Sequence, residues 1–397
     1  MPKKRPPIFV PIGFMICLMC CVSCGKSTPP IPKQAEFTFW VVGSGDVKTR
    51  FGTAVYQVLD DLRESTGHLD DFLFVIAEEP LTADRIQRRS GLSSSQVEYL
   101  IAELEACRSI KKDNHNRWAA TIPVVSDNRM QIMRRDLARM AADVADYLKG
   151  EAPRLRTLYN QAKSSLDPSW EDVSHLIIDK FIIDGAFHVH INRLKREAEN
   201  RESDGGETHV MPAFLLQKGQ HFSNFGCNWY KFNEGNDQRE VYVLHGGVLD
   251  RYDIAMNRHR RDPDFAACLL HISPEGEIHD LTPREKDMLS DLGWISGKRL
   301  LVPIVQAETI KSLQPAIESI GREAAEVAFA RFTDLTDSFN GSPFSKFLKY
   351  KEDYIQVLIH ALFGLTIERL VENGTVARVP ETVPESFGVF IVSGDLF

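Results

Sequence analysis

Cysteine is nearly absent from the body of this 397-residue chain. Of seven cysteines, Cys17, Cys20, Cys21 and Cys24 fall in one N-terminal apolar segment, leaving Cys107, Cys227 and Cys268. Three thiols cannot close a disulfide framework, and they show neither CxxC nor Cys/His ligand spacing, so they read as buried small hydrophobes. Cys227 sits near Trp229, but no histidine stands at a spacing that would make it a nucleophile. Positive charge is also in deficit: 47 basic against 55 acidic residues, a net charge of −8. That removes the global attraction behind non-specific nucleic-acid affinity. The N-terminal segment has no acid: residues 1–24 hold Lys3, Lys4 and Arg5 and no Asp or Glu. No catalytic motif is present. What is there is ordinary, with 43% hydrophobic and 26% charged residues. Such a chain buries globular cores, and its length suggests two or three domains.

The N-terminus has the layout of an export signal. The basic triplet precedes an apolar run over residues 8–22, too short for a spanning helix and weakened by Pro11 and Gly13. The run ends Cys21-Val22-Ser23-Cys24-Gly25, which resembles the lipobox of bacterial lipoproteins; Cys21 departs from it, standing where the pattern prefers leucine. The resemblance implies a signal peptide at 1–24, lipidation of Cys24 by palmitate-type acyl chains, and a polar tether at 25–36. The expected location is the cell envelope, extracytoplasmic and membrane-anchored. An uncleaved anchor would leave the body on the same side. A misassigned start would leave it in the cytoplasm.

Residues 37–42 (FTFWVV) form a strand-like run, broken by Gly43-Ser44-Gly45-Asp46. Phe51, Val55, Val58, Leu59 and Leu62 then recur at helical steps. A second helix over 69–79 offers Phe72, Leu73, Val75 and Ile76 and stops at Pro80. Thr82 is the expected cap of a helix through Arg89. Gly91 turns the chain, Leu92 plugs the core, and Ser93 caps a helix striped with Val97, Leu100, Ile101 and Leu104. Ile110, Lys111 and Lys112 open a hairpin that turns at 113–116 and returns through Trp118.

Over residues 69–125 this resembles the winged helix-turn-helix of ArsR- and MarR-type bacterial repressors. The resemblance implies an exposed interaction or nucleic-acid face made of Ser94, Ser95, Gln96 and Tyr99 on the second helix of the turn. The wing adds Lys111, Lys112, His115 and Arg117. Gln96 could pair with adenine. Two departures weaken a DNA role. Glu98, Glu103 and Glu105 place acid where such repressors carry Arg or Lys. Arg108 stands where the family ends its helix on glycine.

Residues 127–149 read as one amphipathic helix, with Met130, Met133, Leu137, Met140, Val144 and Leu148 on its stripe. It either packs on its own domain or makes a homodimer, and Gly150 and Pro153 are expected to end it before a short helix to residue 166. Asp167-Pro168 reads as a cap with proline at N1, opening linking helices over 167–200. His188-Val189-His190 is similar to the metal-binding His-x-His of amidohydrolases. Ile183, Phe187, Ile191 and Leu194 recur at helical spacing, however, and in a helix residues two apart face different ways, so no metal site is expected there.

The charged stretch 195–208 marks a boundary before an α+β domain over 209–397. Strands are expected at 209–217, 228–232, 240–244 and 299–305, with a turn at 233–237. Arg258, His259, Arg260 and Arg261 read as a solvated loop. Thr282-Pro283-Arg284-Glu285 is a capping box, and helices follow over 308–332 and 354–371. A final hairpin pairs 375–379 with 387–392. The helix exits at Leu289 and Leu370 have the form of the exit at Leu104, which predicts a second winged-helix-like unit in this half.

The expected fold class is therefore mainly α with small β hairpins (α+β): a winged-helix domain over 37–166, then the α+β domain. The expected function is that of a membrane-tethered, non-enzymatic lipoprotein that binds a protein partner through its winged helix and needs no cofactor. A DNA-binding transcriptional regulator is the alternative. A hydrolase with a polar pocket in the 209–305 region is a lesser one.

Overall fold

A computed structural model describes residues 37–41, 53–77, 79–121, 124–198, 213–217, 226–234, 237–245, 262–270, 272–273, 278, 281–296, 299–342, 345, 351–377, 386–394 and 396. The signal and tether with Cys24, the break at 43–46, the loop 199–208, the turn at 235–236 and the basic run 258–261 lie outside these residues. No helix among the described residues is long and apolar enough to cross a membrane. The architecture is mostly helical with small sheets, broadly α+β.

The chain opens with strand β1 (Phe37–Val41). Four helices follow: α1 (Thr53–Thr66), α2 (Leu69–Ala77), α3 (Ala83–Ser90) and α4 (Ser94–Ala106). The hairpin β2 (Ile110–Lys112) and β3 (Trp118–Ala120) closes over them, tied by a bridge between Leu81 and Trp118. Leu59, Phe72, Ile86, Leu92, Val97, Leu100, Leu104 and Trp118 share one apolar core, as the sequence stripes require. Thr82 occupies the expected N-cap position, but its side chain makes no capping bond. Ser93 makes the full capping box with Gln96.

Strand β4 (Val124–Val125) leads into α5 (Asp127–Ala162), a single helix of 36 residues. The break expected at Gly150 and Pro153 does not occur. Proline inside a helix costs about 3 kcal/mol. The turns beyond it bury Leu155 and Tyr159, and that burial offsets the cost. The methionine stripe of α5 packs inside the chain, against α10 (Ala307–Phe329) and α12 (Lys351–Glu372). Of the two readings offered for this stripe, packing within the chain is the one that the described residues show, since the chain's own helices cover it.

Residues 170–198 form a continuous helical rod: α6 (Trp170–His175), a π-helical segment (Leu176–Phe187) and α7 (His188–Ala198). Sequence assigned these residues as linkers. They are instead central, since Val173, Leu176, Ile177, Ile178 and Ile182 are fully buried in the same core as α5, α10 and α12. Ser169, not Asp167, caps the rod. Asp167 reaches across to accept from Gln306 N–H (2.7 Å) and Thr309 Oγ1 (2.8 Å), where α10 begins.

Two sheets tie distant segments together. β5 (Ala213–Gln217) lies between β1, antiparallel, and β4, parallel. The second sheet takes β6 (Gly226–Glu234), β7 (Asp237–His245), β10 (Ile304–Gln306) and β11 (Ser386–Ser393) in the order β10-β11-β7-β6. Successive side chains of a strand face opposite ways. Tyr242 and Leu244 accordingly enter the large helical core, whereas Val241 and Val243 enter a third core with α8 (Pro263–Leu270) and α9 (Pro283–Asp291). The expected strand 299–305 is divided between β9 (Arg299–Leu300), paired with β8 (Ile295–Ser296), and β10.

The three helix exits compared in sequence share one geometry. Ser109 N–H returns to Leu104 O, Trp294 N–H to Leu289 O, and Thr375 N–H to Leu370 O, each past a left-handed residue: Arg108, Gly293 and Gly374. The first two exits open two-stranded hairpins. The third opens none among the described residues: Phe387 to Val392 lie in β11, which pairs with β7 and β10, and residues 378–379 of the expected C-terminal hairpin lie outside the described residues. Arg108 holds φ 60° with a Cβ, where Gly293 and Gly374 have none. A left-handed L-residue costs about 1–2 kcal/mol. Replacing Arg108 by glycine is therefore expected to raise stability by about 1 kcal/mol, net of backbone entropy. An unchanged or lower urea midpoint would contradict this.

Candidate interaction face and buried polar cluster

The interaction face predicted from sequence falls into two groups. On the first turns of α4, Ser94, Ser95, Glu98 and Tyr99 are exposed, Tyr99 by 47%. Gln96 is half-buried and committed: its Oε1 accepts from Ser93 N–H and Ser93 Oγ, both at 2.9 Å. Ser94 Oγ donates to Glu98 at 3.0 Å. The groups that would have read a base edge are therefore engaged locally, and Glu98 and Glu105 present acid to solvent. Glu103 is only half-exposed.

On the hairpin, Lys111, Lys112 and His115 are exposed, with Lys112 Nζ 5.5 Å from the Trp118 ring centroid. Arg117 is not a free cation, because its guanidinium binds Asp113 at 2.7 Å. Desolvation pushes the Asp113 carboxyl up. The Arg117 guanidinium and the N–H groups of Arg117 and His115 outweigh that and bring it down to about 2. Asp113 thus organises the hairpin turn and cancels the charge of one predicted site residue.

A second group of polar residues gathers on the helical rod and α12. An i→i+5 bonded helix widens its turn, so residues four and five apart lie nearly above one another. Three such pairs follow along the rod: His175–Asp179, Lys180–Asp184 and Asp184–His188. His175 Nδ1 lies 2.5 Å from Asp179 Oδ2, and Nε2 lies 2.6 Å from Ala377 O. A carbonyl only accepts, so Nε2 donates to it, and one further proton is shared between Nδ1 and the carboxylate.

Lys180 Nζ donates to Asp184 Oδ2. Burial pushes the Asp184 carboxyl up, but Lys180, with His188 and His360 nearby, holds it below the ordinary carboxylate range. His360 comes from α12 and is 4% exposed. One ligand atom each from Asp184, His188 and His360 lies within 4.8 Å of the others. The imidazoles of His188 and His360 meet edge-to-face, 5.3 Å apart, and both pack on Phe363 at 5.4 and 5.2 Å. Asp184 keeps 16% of its side-chain surface open although its surroundings are densely packed.

The His-x-His pair is split by the helix, as expected: His190 Nε2 turns towards Glu318 at 3.5 Å. Sequence reading missed the other direction, from His188 back to Asp184. The signal was an Asp-x-x-x-His spacing that places both side chains on one face of a helix. Nothing local pointed to His360. Cys227 is half-buried and packs against the large helical core.

An open cleft of about 550 Å³ is lined by α5 and by α11 (Phe332–Asn340), including Arg129, Arg135, Asp136 and Asp337. Arg129 is pinned within it by Tyr354 Oη at 3.0 Å and Ser338 O at 3.2 Å. No protein-family model matches this chain, and no curated protein and no solved structure shows a significant match to it.

Proposed function

We propose that this chain is a membrane-tethered, non-enzymatic protein of the cell envelope. Its 69–125 module, a winged helix by our reading, binds a protein partner rather than DNA. The observation that carries this reading is the state of the α4 face. Gln96 is held in the capping box, Ser94 is held by Glu98, and Glu98 and Glu105 project acid beside an exposed Tyr99. A phosphate backbone would meet carboxylates there, each unfavourable by Coulomb's law. Protein interfaces, by contrast, draw on exposed aromatic side chains. The tethering half of the proposal rests on the basic and apolar N-terminal segment ending at Cys24. Two acyl chains are enough for stable anchoring.

A DNA-binding regulator is the second reading, favoured by the exposed cations Arg85 and Arg88 on α3 and Lys111 and Lys112 on the hairpin. Titration of duplex DNA separates the two. The expected result is binding no tighter than the non-specific range, about 10⁻⁴ to 10⁻⁶ M at physiological salt. Tight, sequence-selective binding would overturn the protein-partner reading. Fractionation of cells carrying the full-length chain or Cys24→Ser tests the tether. The wild type is expected in the membrane fraction and the variant outside it. A soluble cytoplasmic wild type would remove the anchor and favour the regulator.

A further inference from the structure

We propose that Asp184, His188 and His360 form a binding site for a divalent transition-metal ion of the zinc type. The three side chains come from two elements, the π-helical segment running into α7 and the separate helix α12, and they converge without any loop. Two imidazoles with one carboxylate select zinc, iron, cobalt or nickel over magnesium and calcium, which prefer all-oxygen ligands. Zinc binds imidazole nitrogen at about 2.0–2.1 Å and carboxylate oxygen at about 2.0–2.2 Å. Ligand atoms that already lie within 4.8 Å of one another reach that geometry by a contraction of roughly an ångström, within the range of side-chain rotation. Three protein ligands leave a position for water, and the open part of the Asp184 surface supplies the route.

The surroundings suit such a site. Phe187 and Phe363 pack edge-to-face at 5.4 Å, and both imidazoles rest on Phe363, so one side of the site is dry and holds the rings in place. Lys180 engages Oδ2 of Asp184, which leaves Oδ1 as the ligand atom. Lys180 then acts as an outer partner that fixes the carboxylate's orientation. Its charge opposes the cation, so the site binds more weakly than a set of three neutral imidazoles would. A π-helical stretch is rare and often marks a functional position. Here it is the element that aligns Lys180, Asp184 and His188.

The test uses full-length protein in detergent, stripped with chelator and titrated with Zn²⁺ or Co²⁺ alone. Binding is read by metal content after desalting, by the Co²⁺ visible spectrum and by thermal melting. The wild type is expected to retain about one equivalent, to give a Co²⁺ spectrum of low coordination number, and to melt at a temperature that rises with Zn²⁺ concentration. Asp184→Asn and His360→Gln are near-isosteric and are expected to lose metal affinity by about tenfold or more. His190→Ala, two residues from His188 on another face, is expected to keep it. Far-UV circular dichroism of each variant separates lost ligation from lost fold. A wild type that binds neither ion, or a Zn²⁺ response unchanged in Asp184→Asn and His360→Gln, would overturn the site.

Discussion

Gly321→Ala is expected to destabilise the chain by about 2 kcal/mol or more, although alanine is the better helix former. A methyl group at this position would stand 2.3 Å from Ala186 Cβ, 2.8 Å from Phe187 N and 2.9 Å from Ala186 C. Two of these three contacts are with backbone, so no side-chain rotation relieves them. α10 and the π-helical rod cross here so closely that a Cβ on Gly321 would meet the backbone of the rod. Helix propensity returns about 1 kcal/mol for Gly→Ala, against about 3 kcal/mol for overpacking a rigid core. Gly150→Ala is the internal contrast. Gly150 also lies inside a helix, but a Cβ there meets nothing within 4 Å, so this variant is expected to gain about 1 kcal/mol. The two urea midpoints should move in opposite directions. Equal shifts would mean that propensity alone decides, and that the crossing is looser than its geometry. Adding Ala186→Gly to Gly321→Ala should restore only part of the loss, because the contacts with Phe187 N and Ala186 C remain.

Removal of His175 carries the second large effect. Asp179 is wholly buried, and His175 is its charge partner. Breaking a buried pair on one side costs about 3–5 kcal/mol, because the remaining charge has no counterpart. His175→Ala is expected to lose an amount in that range near neutral pH. The pair also makes stability depend on pH. Burial disfavours the imidazolium, but the Asp179 carboxylate and the Ala377 carbonyl outweigh it and raise the affinity of His175 for its proton. Burial of Asp179 acts in the same direction on the proton they share. A folded-state pKa above the unfolded one gives stability that is complete below the unfolded imidazole pKa, about 6.5. That stability is lost as pH rises through the folded value. The wild type should therefore weaken on going from about pH 6.5 into the alkaline range, and Asp179→Asn should show a flatter profile. The same slope in both proteins would assign the pH dependence to other groups.

The parts of this fold that depend on residues within one helical turn could be read from sequence. The capping boxes Ser93/Gln96 and Thr282/Glu285, the stripe of α4 and the hairpins after Leu104 and Leu289 all use such short spacings. The errors arose where a distant segment overrules a local preference. Pro153 should end a helix, but the burial of Leu155 and Tyr159 carries α5 through it. Asp167 should cap the helix that follows it, but its carboxylate is taken by Gln306 and Thr309. The candidate site shows the same division. His188 was weighed against His190, its neighbour in sequence, whereas its partner in space is His360 on α12. The exposure of Ser94, Ser95, Tyr99, Lys111, Lys112 and His115 agrees with the sequence reading, whereas Gln96 and Arg117 are half-buried and engaged locally. The Ser93-x-x-Gln96 spacing is a capping-box signature that competes with a base-reading role for Gln96, whereas the neutralisation of Arg117 by Asp113 depends on how the hairpin turn folds.

The placement of β1 has a consequence for synthesis. Its partner β5 is encoded about 170 residues later, so at about 5–20 residues per second β1 waits roughly ten to thirty seconds before a matching edge exists. During that interval Phe37-Thr38-Phe39-Trp40-Val41 is an apolar strand with unsatisfied backbone groups on both sides. Productive folding of this chain depends on keeping those five residues from pairing elsewhere until β5, just past the midpoint of the chain, has been made.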